Sequence, residues 1–499
     1  MNAGVRNRYP GAHPFEDDDL SRKLFRGREQ ETSSLIRQIL ANRLVVLYAR
    51  SGIGKTSLLN AGIAENLRAE GLVPLAVRVN DIALGPLESI YNGIIIASAK
   101  QQIEYIPGDK LSLWYFFKTA EFWKEDVLLT PVLILDQFEE LFTLHSEDQR
   151  GAFIDQLSNL VRGVPPSKQP SEIVNRDGWS ALITKRPPQL KILISLREEF
   201  LPYLEEFSDR IPEILDQRFR LQPLRRDAAS RALEEPAKVE DASLATRPFE
   251  LESRGKNEIL NFLAHRAPSE IKKLPTDIEP FQLQLICQHL EEVAEIKQRR
   301  NGRNSVTITV DEIGDWSSLQ KILEKFYATQ VKTIPSFRQR WAVRRLCTEF
   351  LVSPEGRRLK MEASEIKRRV GVHAATLKAL VDHRLLRADQ TPEGTYYELS
   401  HDSLIKPILA SKYWSFLWRT AASLVSGILS LFFALALTIA LLFMPFSPES
   451  HTDDTMVFVI SLLVAGLLGL MFWSVGVRSF RKFNEMRRRS AQGSRWTPK

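Results

Sequence analysis

The residues best placed to do chemistry are Lys55 and Thr56, which close the run LVVLYARSGIGKT at 44–56. Strand-forming residues lead into a loop holding Ser51, Gly52, Ile53 and Gly54, and a helix-compatible segment starts at Ser57. Backbone N–H groups of such a loop and the following helix N-terminus cradle phosphates, the lysine reaches the β/γ oxygens, and the hydroxyl takes Mg²⁺. The usual pattern G-x-x-x-x-G-K-[ST] places glycine where this chain has Ala49. A second element, VLILDQFEE at 132–140, is an apolar strand ending in Asp136, placed to hold the water shell of Mg²⁺. Glu139 and Glu140 follow within one turn, so that one of these carboxylates can orient an attacking water. The bland alternative is a strand that ends in an acidic surface loop. A third element, KILISLREEF at 191–200, ends a strand in Arg197, where an arginine can contact a γ-phosphate or pair with Glu198 or Glu199 on the surface.

These groups need a scaffold. Strand candidates at 44–48, 73–79, 132–137, 191–196 and 218–223 alternate with helical patterns, as in a parallel sheet covered by helices on both faces. Residues 1–43 read as a lead-in, with Leu35, Ile36, Ile39 and Leu40 on one helical face. The Pro- and Ser-containing stretch 163–189 reads as a surface loop. Beyond residue 225 helices dominate to about 305. Residues 306–413 then mix helices with a late hairpin (LLRADQ, TPEG, TYYELS; turn at Pro392–Gly394), which suits a winged-helix domain.

A hydrophobic share of 44% and a charged share of 26% are those of a folded globular chain. Cys287 and Cys347 have no metal-ligand spacing and read as buried thiols in a reducing compartment. The net charge of +7 is carried entirely by the tail 478–499, so it does not mark a nucleic-acid-binding protein. Residues 420–446 and 456–477 contain no charge, and each is long enough to cross a bilayer. The acidic linker between them makes a hairpin. Lys406, Lys412, Arg419 and the basic tail place both ends in the cytoplasm of a bacterial inner membrane. The polar residues 1–43 offer no signal peptide.

The chain resembles the STAND class of P-loop NTPases (signal-transduction ATPases with numerous domains), in particular the bacterial novel STAND family. The resemblance rests on FRGRE at 25–29, GIGKTSLLNAGI at 52–63, LILDQFEELF at 133–142, ISLREEFLPYLE at 194–205, RFRLQPL at 218–224, EPFQLQLICQHLE at 279–291 and YELSHDSLI at 397–405. It implies an AAA-like α/β P-loop core over 44–224, a helical domain at 225–305 and a winged helix at 306–413, followed by the two transmembrane helices. It further implies ATP/ADP and Mg²⁺ as ligands. Lys55 and Thr56 would bind phosphate and metal, Asp136 would be the Walker B acid, and Glu140 rather than Glu139 would orient water. Arg197 would be the sensor arginine. Arg28 and Pro280 would lie near the nucleotide, Pro280 beside the base, and His401, with Asp402, would approach the β-phosphate of ADP. Ala49 is expected to tighten the loop and slow turnover.

The function expected is a membrane-anchored switch held closed by ADP. On ATP exchange and an unknown trigger it would form homo-oligomers whose hairpins act on the bilayer in defence or cell suicide. A membrane-tethered transcriptional regulator is the rival, because residues 336–387 carry thirteen Lys/Arg against five Asp/Glu. A nucleotide-binding membrane scaffold is another. An ATP-driven transporter fits poorly with spans that carry no charge.

Overall fold

Strand β1 (Leu44–Ala49) shows why this sheet is buried on both sides. Its side chains alternate faces: Leu44 and Val46 enter one apolar cluster, and Val45, Leu47 and Ala49 the other. The first cluster is closed by helices Gly85–Lys100, Leu113–Thr119 and Glu147–Arg162, through Ile90, Trp114 and Phe153. The second is closed by helix Glu29–Ala41 through Leu35 and Ile39, and by the helix that follows β1 through Leu58 and Ile63. Leu40, expected on the buried face, is exposed. Each fully buried Val, Leu or Ile contributes roughly 1.5–3 kcal/mol, which is why continuous apolar runs rather than alternating ones mark these strands.

The computed structural model describes residues 5–166, 186–264, 277–301, 305–353, 357–383, 385–391, 394–400, 404–405 and 408–409. Residues 1–407 form one compact unit and 408–499 another. The remaining strands are β2 (Leu72–Val77), β3 (Glu104–Ile106), β4 (Glu121–Lys124), β5 (Val127–Leu128), β6 (Thr130–Leu135), β7 (Lys191–Arg197), β8 (Arg218–Arg220), β9 (Phe249–Leu251), β10 (Val306–Ile308), β11 (Met361–Glu362), β12 (Leu386–Thr391) and β13 (Gly394–Leu399). The main sheet has the order β2-β6-β7-β1-β8, and every pairing in it is parallel. β7 thus lies between β1 and β6, and it stands at the centre of the site. β2 is an edge strand, where Pro74 is tolerated.

All the strands expected for the core are present. The small antiparallel sheet β3-β4-β5 was not foreseen, and neither was the short parallel pair β9–β10 beyond residue 225. Helices Arg226–Lys238, Ser253–Leu263 and Pro280–Arg300 make up the expected helical segment. Helices Ala363–Arg369 and Ala374–Asp382 fall between β11 and β12 of the sheet β11-β13-β12. The hairpin turns between Thr391 and Gly394.

The lead-in is tied down more firmly than its composition suggests. Arg8 is fully buried; its backbone N–H donates to Glu291 and its guanidinium to Thr246, Pro236 and Val239. Gly27, in the FRGRE motif, has φ +85, and a Cβ there would lie 2.3 Å from the Ala228 carbonyl. Only glycine lets this segment press against helix Arg226–Lys238.

The expected membrane spans at 420–446 and 456–477, the tail 478–499, His401, Asp402 and most of the loop 163–189 lie outside the described residues. Among the described residues no helix is long and apolar enough to cross a membrane. Both cysteines are buried and free.

Candidate functional site

At the carboxyl end of β1 the chain makes a tight loop, with Gly52 at φ 82 and Gly54 at φ 98, and enters a helix at Lys55. Left-handed backbone at both positions is what glycine supplies cheaply. Ala49 is not part of this turn. It is the last residue of β1, paired with Arg197 of β7, and its methyl group is fully buried in the core. The missing glycine therefore falls in extended strand, where alanine is unstrained. Ala49→Gly is expected to cost roughly 0.5–1 kcal/mol of stability and to change nucleotide affinity by less than about two-fold. Denaturant unfolding and a nucleotide titration check this; a large gain in turnover would restore the tight-loop expectation.

Lys55 folds back over the loop, and its Nζ donates to the Ala49 carbonyl at 3.0 Å. Burial pushes its ammonium below the ordinary value, while Glu139 and Asp136 pull it back up. Thr56 Oγ1 donates to Asp136 Oδ2 at 3.3 Å, and Ser195 Oγ of β7 donates to Asp136 Oδ1 at 2.9 Å. Asp136 directly follows β6, and its own N–H is held by the Val77 carbonyl at the end of β2. Burial raises its carboxyl, with the Ser195 hydrogen bond opposing and the Glu139 charge adding. A hydroxyl and a buried carboxylate at this spacing fit Mg²⁺, which takes few protein ligands and keeps water and phosphate oxygens. No cluster of three or more His, Cys, Asp or Glu able to hold a metal occurs among the described residues.

Gln137 has φ 55, a left-handed conformation unusual without glycine, and it reverses the chain so that Phe138 N–H bonds the Ser195 carbonyl. This turn starts helix Glu139–Leu144 directly under the site. Glu140 reaches the cavity wall and pairs with Arg78. Glu139 is 3% exposed and accepts from the Arg197 backbone N–H at 3.2 Å and from Arg387 Nη2 at 3.2 Å. Arg197 is 4% exposed, and its Nη1 bonds Glu398 Oε1 at 2.8 Å. The surface pairing with Glu198 does not occur, because Glu198 pairs with Arg220.

A cavity of about 360 Å³ opens over the loop. Gly52, Gly54, Lys55, Thr56, Asp136 and Arg197 form its floor, Gly11–Pro14 of the lead-in and Pro280 one wall, and Leu386, Arg387 and Ser400 another. Ser51 Oγ donates to the Ser400 carbonyl at 3.3 Å. A smaller recess of about 60 Å³ adjoins it, lined by Phe15, Arg28, Ile53, Leu224, Pro280 and Leu283. Arg28 is buried there and donates to the Ile53 carbonyl at 3.1 Å and to Glu31 at 2.6 Å, so it braces the loop from outside the main cavity. Ile53 belongs to the core, and Ser57 Oγ accepts from the Phe15 N–H at 3.2 Å. Pro280 opens its helix at the first turn, where proline needs no N–H partner, and lines both spaces.

Sequence reasoning missed Arg78, Arg387, Glu398 and the segment Gly11–Phe15. Arg78 was findable, since it follows β2 at the same sheet edge as Asp136. Arg387 and Glu398 face one another across the hairpin register, a cross-strand charge pair visible in LLRADQ and TYYELS.

The parallel sheet and the loop at the end of β1 define a P-loop NTPase fold. Residues 9–407 match the family Novel STAND NTPase 1 (nSTAND1), and the chain belongs to that family. No curated protein matches it. Among solved structures it is similar to the Aeropyrum pernix ORC2 protein in ADPNP–ADP complexes, at 16% identity over 78% of this chain and 95% of that one, with a TM-score of 0.37. It is also similar to a Walker-type ATPase of Pyrococcus abyssi (12% identity, 82% and 99% covered, TM-score 0.36) and to AMPPCP-bound DnaA from Aquifex aeolicus (13% identity, 71% and 87% covered, TM-score 0.31).

Proposed function

We propose that the chain is an ATP/ADP-dependent switch with slow hydrolysis, anchored in the bacterial inner membrane by its hairpin at 420–446 and 456–477. ADP holds it closed, and ATP exchange, prompted by a trigger, opens it into homo-oligomers that bring the hairpins together. The observation that carries this reading is the charge cluster joining two elements far apart in sequence. Arg197 of β7 bonds Glu398 of β13, and Glu139 bonds Arg387 of β12. The hairpin, with helices Ala363–Arg369 and Ala374–Asp382, acts as a winged helix closed over the phosphate end of the cavity.

Bound ATP supplies the scissile γ-phosphate and, with Mg²⁺, the charge that the site must match. Backbone N–H groups of Gly52–Thr56 bind the phosphates, and Lys55, whose charge burial disfavours, gains a further anionic partner beside Glu139 and Asp136. Thr56 and Asp136 would hold the Mg²⁺. Glu140 orients the attacking water from the cavity wall, while Glu139 is given over to Arg197. The recess beside Pro280, lined by Phe15, Leu224 and Leu283, takes the base. His401 completes the closed state at the β-phosphate. A γ-phosphate reaching Arg197 competes with Glu398, and that competition favours one of two packings.

Light scattering of the purified full-length protein tests the reading. A non-hydrolysable ATP analogue is expected to move it to a higher oligomer than ADP does. The same mass in both nucleotides would overturn the switch. In cells, loss of membrane potential on induction would separate an effector from a scaffold.

A further inference from the structure

Helix Phe337–Arg345 presents a face that the switch does not use. It buries Gln339, Ala342 and Val343, and the next turn buries Leu346 and Cys347. The opposite side leaves Phe337 77% and Trp341 50% exposed, one turn apart. Arg338 and Arg344 are exposed on the same side, and Arg345 lies with its guanidinium 5.8 Å from the Trp341 ring and 5.7 Å from that of Phe350. Gln339 ties this helix to the turn at 371–373, accepting from the His373 N–H at 2.9 Å and donating to the Gly371 carbonyl at 2.9 Å. Just before that turn Lys367, Arg368 and Arg369 are exposed. Among the described residues, acids pair with these groups at Glu349, with Arg345, and at Glu365, with Arg369.

We propose that this aromatic and basic face docks on an anionic phospholipid surface. Exposed aromatic rings flanked by arginines suit the headgroup boundary, where the rings sink among the acyl-chain ends and guanidinium groups meet lipid phosphates. Such cations bind an anionic leaflet additively, so each arginine removed weakens docking by roughly five-fold. A DNA duplex is the poorer match. The second helix of the helix-turn-helix arrangement, Ala374–Asp382, exposes Ala374, Ala375 and Lys378, and offers a groove little charge. The proposal stands on the face itself, and rests on the anchor reading only for bringing that face near a membrane.

The test uses the full chain carrying Glu349→Cys, labelled with an environment-sensitive fluorophore; the buried Cys287 and Cys347 are shielded from the reagent. The protein is reconstituted in vesicles of phosphatidylcholine alone or doped with phosphatidylglycerol. Blue-shifted emission, about two-fold brighter, is expected on the doped vesicles only. It should be lost on adding Phe337→Ser with Trp341→Ser, and weakened by Arg344→Gln, while nucleotide binding persists. Equal emission on both lipids overturns the proposal, as does a shift produced by a DNA duplex and not by anionic lipid. Alkaline carbonate extraction tests the anchor separately: protein that washes off yet still shows the lipid-dependent shift removes the anchor and keeps the docking face.

Discussion

Lys55→Ala is expected to abolish nucleotide binding at working concentrations while leaving the unliganded fold intact. Removing one partner of a desolvated, hydrogen-bonded charge pair costs about 2–5 kcal/mol, or a loss of roughly 30- to several-thousand-fold in affinity. The unliganded protein behaves differently. Burial already disfavours the Lys55 ammonium, and its hydrogen bond goes to the Ala49 carbonyl. Alanine removes a buried charge together with a single bond, so the melting temperature without ligand should hold or rise slightly. Added nucleotide should then give no further increase, because stabilisation by a ligand follows its occupancy. The variant should also fail to change mass with an ATP analogue. Equal thermal shifts in variant and wild type would show that the loop is not the phosphate site.

The core was legible in the sequence because buried parallel strands are short apolar runs, and 44–49, 132–135 and 191–197 leave little else to read. The loop was legible because glycine at 52 and 54 and lysine at 55 mark one backbone shape. Strand order was not. That β7 lies between β1 and β6 decides that Ser195 bonds Asp136 and that Ala49 pairs with Arg197, and no local pattern encodes it. The edges of the site were hidden for a related reason. Arg78 and Glu140 stand 62 residues apart along the chain, and Arg197 and Glu398 stand 201 apart. Short strands such as β9 and β10 escaped because three residues carry too little periodicity among helices. Ahead of Leu35 the lead-in carries no apolar periodicity that would announce its structure. Its order comes from Arg8 finding Glu291 and Thr246, which are likewise tertiary partners.

Glu398→Gln is expected to release the switch. Glu398 is 5% exposed and bonds Arg197 at 2.8 Å, with Arg358 at 3.7 Å and the Arg358–Leu399 carbonyl bond at 3.0 Å alongside. Removing one charge-assisted bond costs about 1.5–3 kcal/mol, less than the loss of an isolated buried pair, because Glu139 Oε1 stays 3.4 Å from Arg197 Nε. The Arg197–Glu398 pair joins β7 to β13, so the cost falls on the closed packing more than on the internal order of either sheet. Glutamine keeps the shape, and Glu139 still holds the Arg197 backbone N–H. A penalty of that size would shift a closed-to-open equilibrium by roughly ten- to a hundred-fold. The variant should therefore assemble in an ATP analogue without a trigger, and bind that analogue more tightly than wild type in proportion to the open population. Glu398→Asp, which restores the charge with a shorter reach, should fall between the two. Adding Arg387→Gln removes the second tie, from β12 to Glu139, and should open the molecule further, with an effect coupled to the first because the four charges share one buried cluster. If Glu398→Gln keeps wild-type mass and affinity while the fold remains intact, the cluster is only a brace between two sheets. The latch would then have to lie elsewhere along the wall formed by Leu386, Arg387 and Ser400.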